Sequence, residues 1–225
     1  MKINVLKSLS AVFFFELAVW AQAQTNLVCF DDLPTDIYQN GMVMNSVAVP
    51  VSSGYGSLNW NGFYAVDGNY FSTFLGQGAA GYFNAVISPN NEAITLRNFT
   101  NSTSGDISAD AAYSLDSGYF TALYMDGLSL EVQGYNGANL LYDQTYLLGF
   151  GRPDYIQFNM TGITDAHFIA SGGTLADVID GPGENFAMDN LTISLSPEPS
   201  TVALLSLGGL SLLRLCRKAG AREIS

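Results

Sequence analysis

Between Gln24 and Ser196, short runs rich in Val, Ile, Tyr, Phe and Leu alternate with clusters of Gly, Asn, Asp and Ser, and no stretch carries a helical stripe. That rhythm predicts an all-β domain. The runs that read as strands are Leu27–Phe30, Leu58–Ala65, Gly81–Ser88, Ala93–Phe99, Tyr119–Met125, Leu128–Tyr135, Leu140–Leu147, Tyr155–Asn159, Ala166–Ala170 and Phe186–Leu195. The clearest lies within 128–147. There Leu128, Leu130 and Val132 alternate with Ser129, Glu131 and Gln133, and Asn136-Gly137 supplies a two-residue turn suited to a hairpin. Strands at this spacing predict a single β-sandwich of jelly-roll type. The stretches 39–57, 101–112 and 171–184 read as loops, where binding concentrates on a rigid sandwich.

The two ends of the chain differ from this body. Lys2 and Lys7 precede an apolar stretch from Leu9 to Trp20, interrupted by Glu16, and Ala21-Gln22-Ala23 forms an A-x-A-like site. This is the order of a secretory signal peptide, residues 1–23, cut after Ala23. The mature body, 24–196, has the size of one domain. At the other end stand Pro197-Glu198-Pro199, an uncharged run from Val202 to Leu213, and then Arg214, Arg217 and Lys218. The prolines end any strand or helix before them. The run is shorter than the roughly 20 apolar residues of a comfortable bilayer span, and the bases after it should stay on the cytoplasmic side.

This tripartite tail, 197–225, resembles the PEP-CTERM sorting domain of Gram-negative, exopolysaccharide-making bacteria. The resemblance implies recognition by an exosortase, a membrane-embedded cysteine protease that cuts near Pro197-Glu198-Pro199. It further implies a single-span anchoring helix, transient residence in the inner membrane, and delivery to the outer surface or extracellular matrix. The basic cluster here is more spread out than is usual in that family, and Ala219 to Ser225 follow it.

Charge changes the picture of the body. The chain carries a formal −12, but six of its eight bases lie in the two ends. The body keeps only Arg97 and Arg152 against seventeen Asp and Glu. Such a surface repels phosphate backbones and excludes nucleic acid as a partner. Cys29 lies in the body and Cys216 in the tail, so no internal disulfide is expected and the core alone must hold the fold.

Candidate chemistry is sparse. The one histidine, His167, sits in the strand-like Ala166–Ala170 run, which reads as a structural position, and no G-x-S-x-G elbow or metal-type His spacing is present. No catalytic residue is assigned. The body opens on Cys29-Phe30-Asp31-Asp32 and closes on Met188-Asp189-Asn190. These edges resemble those of extracellular jelly-roll modules such as MAM-like and carbohydrate-binding domains. By that resemblance Asp31 and Asp189, with Asp32 and Asn190 behind them, would hold a structural Ca²⁺; capping of strand ends is the competing reading. Tyr55-Gly56-Ser57-Leu58-Asn59-Trp60 mixes rings and amides as sugar-contacting loops do, which makes Tyr55 and Trp60 ligand-binding candidates. For Trp60, burial is favoured. Tyr70, Tyr82, Tyr119 and Tyr135 add further rings.

The expected function is a non-enzymatic, structural or adhesive surface protein associated with exopolysaccharide or biofilm. A lectin-like module that binds extracellular polysaccharide is the alternative. A glycan hydrolase, which needs two carboxylates at a defined separation, ranks below both.

Overall fold

Alternation along the chain becomes alternation across a sheet. In a computed structural model of the protein, residues 24–39, 42–75, 80–95, 104–176 and 183–196 are described. Among them, strands dominate and pair antiparallel. The principal sheet runs β11 (Asn139–Leu148), β10 (Leu128–Asn136), β12 (Asp154–Ser171), β8 (Ser104–Ala122), β14 (Phe186–Leu195), β7 (Asn91–Thr95), β6 (Phe63–Asp67) and β4 (Val49–Pro50). Two further strands join it, β1 (Gln24–Val28) on β14 and β5 (Asn59–Asn61) on β8. Short pairs β2 (Asp36–Gln39) with β3 (Met42–Ser46), and β9 (Met125–Asp126) with β13 (Thr174–Leu175), complete the strands. The fold is all-β and sandwich-like, as the sequence predicts, and Thr25–Ser194 form one compact unit.

Gly62 makes the sheet fold over. It alone separates β5, which pairs with β8, from β6, which pairs with β7. Because β7 pairs with β14 and β14 with β8, the strands close a ring around the core. The corner needs a positive φ, here +80°, and a side chain at Gly62 would start 2.8 Å from the Ser104 carbonyl oxygen. Only glycine meets both demands at low cost. Just past the corner, the Phe63 ring lies against Gly105, where a Cβ would sit 2.4 Å from it.

Inside the ring the side chains are aromatic. Phe63 meets Phe168 edge-on at 5.9 Å and Phe186 at 6.1 Å, while Phe120 packs on Phe158, Phe168 and Phe186. Trp60 closes one end between Phe30 and Phe63. Such ring pairs each add about 0.5–1.5 kcal/mol beyond their buried area. A second cluster, Val66, Tyr82, Ile94, Leu123, Tyr124 and Ala187, carries one polar link, a 2.9 Å bond between the Tyr82 and Tyr124 hydroxyls.

Several sequence expectations are corrected. The run 81–88 is not a strand: α2 (Ala80–Ala85) occupies it, burying Tyr82 and Ala85 one turn apart and leaving Phe83 exposed. Another helix, α1 (Gly68–Leu75), has no counterpart in the sequence reading. Its start is fixed by Asp67, whose carboxylate accepts the Tyr70 N–H at 2.8 Å. Residues 104–112, read as loop, are strand, and Tyr119–Met125 is the far end of that same β8 followed by β9. The two expected strands at 155–159 and 166–170 are one, β12, bent by register shifts between Gln157 and Asp165. The hairpin lies where expected, displaced by one residue. Asn136 pairs with Asn139, so Gly137 and Ala138 form the turn. Positive φ falls on Gly137 and not on Ala138, the type II′ pattern.

The segments read as a signal peptide, 1–23, and as a sorting tail, 197–225, lie outside the described residues. Among the described residues, no helix is long and apolar enough to cross a membrane.

Candidate functional site

The outward side of the forked half of the sheet carries a continuous polar row. Strand pairing aligns Asp143 (β11), Gln133 (β10), His167 (β12), Asp106 (β8) and Asn61 (β5), each directly opposite the next. Directly opposed residues share a face, and their neighbours Val132, Ala166, Phe168, Ile107 and Trp60 are buried on the other. The five polar side chains therefore lie together on the solvent side. Period two along each strand is the whole cause.

Hydrogen bonds order two parts of the row. His167 Nδ1 lies 2.7 Å from Asp106 Oδ1, with the two side chains 41% and 38% exposed. Asn61 Nδ2 donates to the other Asp106 oxygen at 3.0 Å. The Tyr135 hydroxyl donates to Gln133 Oε1 at 2.8 Å, and Gln133 Nε2 donates to Glu131. The Tyr135 ring meets the His167 ring edge-on at 5.0 Å. A flanking row, Tyr135, Asp165, Ser108 and Asn59, runs parallel to the first. On the other side stand Thr145, Glu131, Ile169 and Ser104.

This surface offers amide, imidazole, hydroxyl and carboxylate groups at the strand spacing of about 4.8 Å, with rings beside them. It suits a ligand with many hydroxyls. Four carboxylates (Asp106, Glu131, Asp143, Asp165) stand near one imidazole, so anionic ligands are disfavoured. Beyond the bend in β12, Tyr155 is 54% exposed and its ring lies 5.0 Å from that of half-buried Tyr119.

The residues singled out from sequence fall elsewhere. Trp60 is buried: its Nε1 donates to the Tyr55 carbonyl at 2.8 Å and its ring is wedged between Phe30 and Phe63. It offers no face to a sugar, which corrects its candidacy. Tyr55 stacks on Phe30 at 5.7 Å and donates its hydroxyl to Asp32 at 2.5 Å, so it braces the first loop. Of the other rings named, Tyr82 is core, while Tyr119 and Tyr135 reach the outward surface. His167, read as structural, is on the solvent side and paired with Asp106.

Asp31 and Asp189 do not converge on a cation. Asp189 is fully buried and its oxygens accept the N–H groups of Ile87, Ser88 and Asn190 at 2.8, 2.8 and 2.6 Å, and the Ser88 hydroxyl at 3.1 Å. Burial pushes its carboxyl up to about 6, against the pull of those amides. Donor hydrogens surrounding both oxygens present positive ends, the reverse of what Ca²⁺ requires. Asp31 accepts the Asn91 N–H at 3.2 Å. Among the described residues, no group of three or more His, Cys, Asp or Glu is placed to hold a metal ion. The donor set does not fit Ca²⁺; it fits the capping reading.

No protein-family profile matches this chain. No curated protein matches it. Among solved structures, it is similar to a DUF4465 family protein from Bacteroides caccae, with TM-score 0.52 and 11% identity over 76% of this chain and 98% of that one. A DUF4465 family protein from Bacteroides ovatus aligns with TM-score 0.42 and 13% identity over 76% and 99%. The family 32 CBM from C. perfringens NanJ, solved in complex with galactose, aligns with TM-score 0.32 and 14% identity over 65% and 96%. The first likeness is one of fold, and nothing about function rests on any of the three.

Proposed function

We propose that this protein is a non-enzymatic, exported surface or matrix component whose sandwich contacts neutral extracellular polysaccharide through the outward polar row. The supporting observation is the alignment of Asn61, Asp106, His167, Gln133 and Asp143 across five strands, with Tyr135 beside them. Hydroxyl groups can bond the amides and the Asp106–His167 pair, while the Tyr135 ring covers an apolar side of the sugar. On this reading the signal peptide exports the chain, and the tail around Pro197, Glu198 and Pro199 delivers it to exosortase at the membrane. Arg214, Arg217 and Lys218 hold the tail's cytoplasmic end until cleavage.

The deciding experiment is retention of the secreted protein on the producing cell's neutral exopolysaccharide, comparing wild type with the double variant Asp106→Asn, His167→Ala. Saturable binding lost in the variant supports the reading. Absence of binding, or equal binding by both, overturns the assignment to this surface. Sorting is tested separately: without exosortase the chain should keep its intact C-terminus and accumulate in the membrane fraction.

A further inference from the structure

β11 ends the sheet among the described residues, and its far side pairs with no strand there. Edge strands of this length are ordinarily blunted by Lys, Pro, bulges or brevity, because a row of open N–H and C=O groups templates pairing with another chain. Asn139–Leu148 contains no Lys, Arg or Pro. Its one irregularity is the bulge where Gly134 faces Tyr142 but Tyr135 faces Leu140, which leaves 142–148 straight. Apolar side chains line it in the open: Leu147 is 74% exposed, and Leu140 and Leu141 are each 48% exposed.

The geometry points to a second copy of this chain as the occupant, its β11 pairing antiparallel with this one about a two-fold axis through Gln144. A two-fold axis perpendicular to the sheet keeps the same side outward in both copies, so opposed residues must share a face. With the axis on Asp143, two carboxylates would stand directly opposite each other, which is destabilising. With the axis on Gln144, Asp143 faces Thr145 of the second copy, Tyr142 faces Tyr146, and Leu141, the extra residue of the bulge, comes level with Leu147. Leu141 and Leu147 then cover each other, and the one charge in the strand meets a hydroxyl. The strand is self-complementary in this register. This inference does not depend on sugar binding, although it would make one surface of two polar rows.

The test uses the full chain in mild detergent. Expected are a molecular mass of two copies by light scattering, and a disulfide-linked dimer on oxidation of Gln144→Cys but not of Thr161→Cys, an exposed position on β12. The pair Leu141→Lys, Leu147→Lys should weaken dimerisation about tenfold or more while the circular dichroism spectrum stays as in wild type. A monomeric mass without cross-linking overturns the proposal. So does a dimer indifferent to the lysines. Protection of β11 amides from hydrogen exchange in a monomer would instead assign the edge to a segment of the same chain, and also overturns it.

Discussion

His167 and Asp106 face each other across β12 and β8 in direct register, with the imidazole Nδ1 2.7 Å from the carboxylate Oδ1. Both side chains are partly open to water, and Asp106 is shared with Asn61. A hydrogen-bonded pair so exposed contributes no more than about 1 kcal/mol to stability. Its value lies in presenting a fixed set of donors and acceptors to a ligand.

The first prediction separates those two roles. Asp106→Asn and His167→Ala, each alone, should move the unfolding free energy by less than about 1 kcal/mol. Retention on neutral polysaccharide should fall about tenfold. Denaturant melts and a binding isotherm on the same samples check this. A large stability loss with unchanged binding would make the pair structural after all.

Acid should stabilise the fold. Glu92 is fully buried, neither of its carboxylate oxygens has a hydrogen-bond partner among the described residues, and burial raises its carboxyl well above the ordinary value, with Asp189 and Asp67 adding to the effect. Asp189 rises from 3.8 to about 6, and Asp67 is raised by burial too. Each group binds its proton more tightly folded than unfolded. Stability therefore grows as pH falls through about 6 toward the unfolded value, and it is lost as pH rises back; the Asp189 share is about 3 kcal/mol at most. The melting midpoint should be higher at pH 5 than at pH 7.5. Glu92→Gln should raise it at pH 7.5 and much less at pH 5. A midpoint that climbs from pH 5 to pH 8 would contradict this.

Trp60 belongs to the core, and its removal should say so. Trp60→Ala should cost about 3–5 kcal/mol, and Trp60→Phe considerably less, since the ring contacts with Phe30 and Phe63 survive in part. At temperatures where the variants remain folded, polysaccharide binding should match wild type. Selective loss of binding with normal stability would restore Trp60 as a contact residue.

Gly62→Ala tests the corner between β5 and β6. The new methyl meets the Ser104 carbonyl in a backbone conformation that disfavours side chains, at a cost of about 2 kcal/mol or more. A drop of several degrees in the melting midpoint is expected, about 2–4 °C per kcal/mol at this size. The same change at Gly151, which has open space around it, should be nearly silent.

What could be read in the sequence was what alternation encodes. Phe186–Leu195 was legible residue for residue from its apolar residues, and Leu128–Leu147 as a hairpin, because β10 is apolar on one side and polar on the other. Ser104–Ala112 was not legible. Its Gly, Ser, Ala and Asp pair through the backbone and carry no hydrophobic signal until the strand is laid beside β12. The run 81–88 misled because Tyr, Phe, Val and Ile suit a strand, whereas Gly81 lets α2 approach the backbone of Leu123 closely. The polar row was invisible for a different reason. Its five members come from five strands spread between Asn61 and His167, and only register brings them together. A hint existed in the period-two placement of Gln133 and Tyr135 on β10, one carrying an amide and the other a ring.

β14 is the last described strand in the chain, yet it lies inside the sheet, between β8 and β7, and it also receives β1. Thr25 and Ser194, 169 residues apart, share a hydrogen bond. During synthesis, then, the aromatic ring of strands has no keystone until Phe186–Leu195 has emerged. A polypeptide interrupted anywhere earlier would expose Phe63, Phe120 and Phe168 to solvent and to proteases. The architecture thereby ties closure of the core to the arrival of β14, the strand that every other part of the ring waits for.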